Sequence, residues 1–64
     1  MNKNVLLETK ELYQIILSYA CAGIIVENDI VIKTAPIFSW MIGKSLIEVQ
    51  AWVYKKNGVI NKVQ

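Results

Sequence analysis

Few side chains in this sequence can do bond chemistry. There is no histidine and no arginine; all seven cations are lysines, five carboxylates are spread from Glu8 to Glu48, and Cys21 is the single thiol. Without histidine, acid–base work would fall to carboxylates, and Glu27 and Asp29 sit in a turn-forming stretch where burial does not tune them. Cys21 lacks a histidine to draw off its proton and lies in an apolar, β-forming run, the setting of a small hydrophobe rather than of a nucleophile. Tyr13, Tyr19 and Tyr54 can donate hydrogen bonds but do not make an enzyme alone. One thiol and no histidine exclude a Cys/His zinc site within one chain, and no intramolecular disulfide can form. A symmetric disulfide between two copies is the other use open to Cys21, but a lone thiol in an apolar run fits a reducing cytoplasm better. The expectation is a non-enzymatic, cytoplasmic protein without a cofactor.

Residues suited to binding are more numerous. Gly43-Lys44-Ser45 resembles the end of a phosphate-binding loop, but the glycine required five positions earlier is Phe38. What remains is Lys44 beside the free N–H groups that follow Ser45, either a modest anion site at a helix N-terminus or simply a capped helix with a solvated lysine. Downstream, Leu46, Val49 and Val53 form one helical stripe, the core face, and Ile47, Ala51 and Tyr54 form a second beside it. Trp52 joins neither, falling in the arc of Glu48, Lys55 and Lys56 that should meet water. Two readings compete: Trp52 packs under the N-terminal segment or against Trp40, or it is an interface or ligand-stacking residue rimmed by lysines. Trp40, in a short helix, is expected in the core. The lysines never run longer than two and arginine is absent, so a nucleic-acid partner is disfavoured.

The elements that must hold these residues are readable in part. The chain reads as a single small domain over residues 1–64, with about the first ten residues polar and frayed or loosely helical. Residues 12–19 alternate as a strand, with Tyr13, Ile15, Leu17 and Tyr19 on one face; a helix over about residues 5–19 is the competing assignment. The β-branched runs around Ile24 and Val31 form a hairpin over about residues 21–35, turning at Asn28-Asp29. That turn sets Val26 opposite Val31, Ile25 opposite Ile32 and Ile24 opposite Lys33. Pro36 opens a short helix over about residues 36–42, closed by Gly43. Ser45 and Glu48 spell a capping box, so a helix runs over about residues 46–56 to a stop at Asn57-Gly58. Residues 59–63 suit a short edge strand. The fold class is α+β, a small antiparallel sheet packed by two helices.

Size then bears on partners. Of the 64 residues, 55% are hydrophobic, more than one small core can cover. Both faces of the hairpin are aliphatic and its edges invite pairing, so a homo-oligomer is expected. The stretch of residues 12–26 is too short and too interrupted by Gln14 and Ser18 to span a membrane, and the start of the chain lacks a signal core.

The run Cys21-Ala22-Gly23-Ile24-Ile25-Val26, followed by Ala35 to Lys44 and a helix carrying Trp52 before Asn57-Gly58, resembles small proteins of phage and prophage origin. The resemblance covers roughly residues 20–58 and rests on structural motifs. It implies a counter-defence role: an oligomeric sponge for signalling nucleotides, or an inhibitor that blocks a host or defence protein. In the first case Trp52 or Trp40 would stack a base, while Lys44, Ser45, Lys55 and Lys56 would hold phosphates at the helix N-terminus and along the rim.

Overall fold

A computed structural model describes residues 10–63. Four antiparallel strands form an open sheet of order β3-β2-β1-β4, from β1 (Lys10–Ile16), β2 (Cys21–Glu27), β3 (Ile30–Thr34) and β4 (Val59–Lys62). Between β3 and β4 the chain makes a 3-10 segment (Pro36–Met41) and one helix, α1 (Leu46–Lys55). The frayed start expected for about the first ten residues falls almost wholly outside the described residues.

Each local signal has a visible consequence. Asn28 and Asp29 both take positive φ, 54° and 65°, as the central pair of a two-residue turn whose twist matches the strands. Ser45 caps α1 reciprocally: its Oγ accepts from the Glu48 N–H at 3.2 Å, and its own N–H donates to Glu48 Oε1 at 3.0 Å. At the far end Gly58 N–H reaches Val53 O at 2.9 Å and Asn57 N–H reaches Tyr54 O at 3.0 Å. That is the Schellman pattern, and the left-handed residue in it is Asn57, at φ 61°.

Gly58 serves another purpose. A Cβ there would collide with the Leu17 side chain and stand 2.8 Å from Ile16 O, so glycine lets the turn into β4 press against the end of β1.

One face of the sheet carries the core. Ile15, Ile24, Val26 and Val31 from the strands meet Phe38 and Met41 from the 3-10 segment and Leu46, Val49 and Val53 from α1. Leu17 closes one end of this core.

Four expectations need correction. The first strand ends at Ile16, and a turn closed by Leu17 N–H on Ala20 O at 2.7 Å leaves Tyr19 69% exposed rather than in line with Ile15. In the β2–β3 hairpin Val26 does face Val31, but a bulge then shifts the register, so Ile25 faces Lys33 and Ile24 faces Thr34. The uninterrupted register would have set Lys33 beside the fully buried Ile24; the extra residue turns the lysine to the opposite face. The segment after Pro36 is a kinked 3-10 helix. With three residues per turn it aims Phe38 and Met41 inward and leaves Trp40 46% exposed, not in the core. Finally, the edge of β3 is closed at its start. Val31 N–H donates to Lys44 O at 2.9 Å and Val31 O accepts from Gly43 N–H at 2.8 Å, so residues 43–45 lie along it. Among the described residues, no helix is long and apolar enough to cross a membrane.

Candidate functional site

Trp52 stands on the flank of α1 that faces the 3-10 segment, half-buried against the core. Its indole meets Trp40 edge-on, with ring centroids 5.0 Å apart and planes at 67°, and meets Phe38 at 6.2 Å and 76°. Both are the favoured T-shaped geometry, each contributing about 1 kcal/mol beyond area burial. One turn on, the Lys56 ammonium lies 5.7 Å from the Trp52 ring centroid, within cation–π range. The two readings of Trp52 thus meet in one place. It packs on Trp40, and the pair together makes a ridge whose outer part is the exposed Trp40.

The six candidate residues do not converge. Trp40, Trp52, Lys55 and Lys56 lie toward the C-terminal end of α1. Lys44 and Ser45 lie at its start, about 15 Å from Lys55 along an axis that rises 1.5 Å per residue. At that start three donors are taken. Ser45 N–H and Glu48 N–H serve the capping box, and Leu46 N–H donates to Asp29 O at 2.8 Å. The Glu48 carboxylate already supplies the anion; its pKa is lowered chiefly by the Ser45 N–H bond, against desolvation as the next effect, with weaker help from the Ser45 hydroxyl and the Lys44 charge. Lys44, for its part, anchors the β3 edge through its backbone.

A second surface is the one expected from the aliphatic residues on both faces of the hairpin. The sheet face turned away from α1 carries Leu12, Ile16, Ile25, Val59 and Val63, and no element among the described residues covers it. Cys21 opens β2 on this face, exposed, and its Sγ accepts a bond from Gln14 Nε2 at 3.2 Å. A shallow hollow of about 210 Å³ is lined by Leu12, Tyr13, Gln14, Gly23 and Val63. The signal was present in the alternation of β1, whose second face reads Leu12, Gln14, Ile16. Among the described residues no cluster of His, Cys, Asp or Glu could hold a metal ion.

Comparison with protein-family models, with curated proteins and with solved structures gives no match to this chain.

Proposed function

We propose that this chain is a non-enzymatic, cytoplasmic binding module that engages a protein partner through the Trp40–Trp52 ridge. The observation that carries the reading is Trp40: 46% exposed, yet fixed edge-on against a half-buried Trp52. An indole held in one orientation has already lost much of its side-chain freedom, so a partner that covers it has less ordering entropy to overcome. Lys55 and Lys56 supply a polar rim, the arrangement found around interface hot spots. Blocking a host or defence protein, as the resemblance implies, is one use of such a ridge.

Nucleotide sequestration fits this geometry less well. Rings at 67° offer no parallel slot for a base, Lys56 stands over one face of Trp52, and Lys44 and Ser45 are at the other end of the helix. The two uses separate cleanly, because both tryptophans of the chain are in the ridge and intrinsic fluorescence reports on it alone. Cyclic and linear nucleotides are expected to leave that fluorescence unchanged. A photo-crosslinking residue at position 40 is expected to capture one polypeptide in the expressing cells that the same residue at the exposed position 19 does not. Saturable quenching by a nucleotide, abolished in Trp40→Ala, would overturn the proposal in favour of sequestration.

A further inference from the structure

Gly23 is in the middle of β2, paired with Gln14 of β1, and no contact among the described residues requires a glycine there. Its φ is not in the left-handed region, and a Cβ would meet only Leu12 Cδ1 at 3.5 Å and Tyr13 O at 3.6 Å, ordinary contacts. A glycine inside a strand weakens it and marks places where another backbone or a ligand comes close. Here the missing side chain produces the 210 Å³ hollow, at the centre of the uncovered face. Cys21 and Ile25 bracket it along β2, and Leu12 and Ile16 stand diagonally across on β1.

We infer that this face is the interface of a two-fold homodimer, sheet against sheet, in which the hollow at Gly23 of each copy receives an aliphatic side chain of the other. The inference concerns a face other than the Trp40 ridge and stands independently of it. Three observations select a second copy as the occupant. The first is area. Four strands about 4.8 Å apart and about five residues long give roughly 300 Å² of flat sheet. With side-chain relief that is roughly 500 Å² accessible per copy, so the pair reaches the roughly 1,000 Å² of a specific interface. The second is polarity. Across β2, β1 and β4 the inner positions Cys21, Gly23, Ile25, Leu12, Gln14, Ile16, Val59 and Asn61 carry no formal charge; the charged groups of this face, Lys33 opposite Ile25 and Lys10 opposite Glu27, stand at its margin. The polar pair, Gln14 and Asn61, are amides opposite one another on neighbouring strands. Amides hold donor and acceptor together, so a two-fold axis near the Gly23–Gln14 row sets amide against amide with both satisfied, which charges of one sign cannot do.

The third is the state of the edges. Residues 43–45 cover the start of the β3 edge at Ile30 and Val31, and the register of β4 leaves the backbone groups of Ile60 and Lys62 pointing outward. Lys62, tied to Glu11 at 3.0 Å, further blunts that edge. The edges thus offer a second copy fewer free backbone groups than the face offers apolar side chains.

The deciding variant is Gly23→Val, which fills the hollow with a strand-favouring side chain whose Cβ meets only ordinary contacts. Sedimentation equilibrium is expected to give a dimer for the parent, with dimer affinity at least 30-fold weaker in Gly23→Val and in Ile16→Thr, and unchanged in Ile47→Thr on the exposed side of α1. Reaction of Cys21 with a thiol reagent supplies a readout that does not depend on shape: slow in the parent dimer, faster on dilution, fast in Gly23→Val. A parent dimer indifferent to Gly23→Val would overturn the inference. So would a monomer at all concentrations: with fast Cys21 it leaves the face to a different partner, and with slow Cys21 it assigns the cover to residues 1–9 of the same chain.

Discussion

Trp40 and Trp52 touch one another yet stand differently in the fold, and their substitutions should separate stability from binding. Trp52 contributes to the rim of the core through Phe38, so Trp52→Ala is expected to cost about 2 kcal/mol, below the range for a fully buried tryptophan. Trp40→Ala removes an exposed ring and is expected to cost under about 1 kcal/mol, while weakening capture of the partner by tenfold or more. Urea denaturation of the two variants checks the first half and the crosslinking yield the second. Gly58 presents the opposite case, a small residue with a large effect. Its Cβ would press on Leu17 and on the Ile16 carbonyl, and a backbone oxygen cannot move aside as a side-chain end does. Gly58→Ala is therefore expected to destabilise by about 1–3 kcal/mol. Gly23→Ala, whose new methyl makes only ordinary van der Waals contacts, is expected to leave the monomer as stable as the parent or slightly more so.

At the level of elements, α1 is held at its start by one short motif, and that motif titrates. Ser45→Ala removes the hydroxyl that accepts the Glu48 N–H and is expected to cost about 1 kcal/mol. The Glu48 carboxylate has its pKa lowered in the fold, chiefly by the Ser45 backbone N–H. A lowered folded pKa stabilises the fold above the ordinary glutamate range, and that contribution is lost as pH falls through the folded value. Glu48→Gln should thus melt below the parent near neutral pH, and the gap should close in acid; a gap that persists at about pH 2 would show that the carboxylate charge is not what the cap uses. The capping box was fully legible in Ser45 and Glu48, as were the Asn28-Asp29 turn and the edge strand from Val59, because each rests on chemistry within a few residues. What was not legible depended on long-range placement. The bulge beside Ile25 answers to the burial of Ile24, which becomes fixed only when Phe38 and α1 close over the sheet. Trp40 was misplaced for a related reason: its exposure follows from a 3-10 rather than an α spacing between Phe38 and Met41, and Pro36 is compatible with both. Of the candidate site, the two tryptophans and Lys56 came together; Lys44 and Ser45 belong to the cap and the β3 edge.

Seen whole, the molecule is a two-layer structure with one layer missing. A sheet aliphatic on both faces has α1 and the 3-10 segment on one of them, and no further helix among the described residues lies on the other. In the proposed dimer a second copy covers the bare face and removes roughly 500 Å² more per copy from water, so folding and association should be coupled. For such a dimer each tenfold rise in protein concentration stabilises the assembled state by about 1.4 kcal/mol. Divided by the unfolding entropy of a unit of about 130 residues, that is a rise of about 5 °C in the melting midpoint. Calorimetric scans of the parent across two decades of concentration are expected to show midpoints climbing by about 10 °C in total. Gly23→Val is expected to melt at one temperature throughout, below the parent at high concentration and converging with it on dilution. Midpoints of the parent that stay constant across the same range would mean that the bare face is stable in water as it stands, and the 55% hydrophobic content would then have to be reconciled with a monomer.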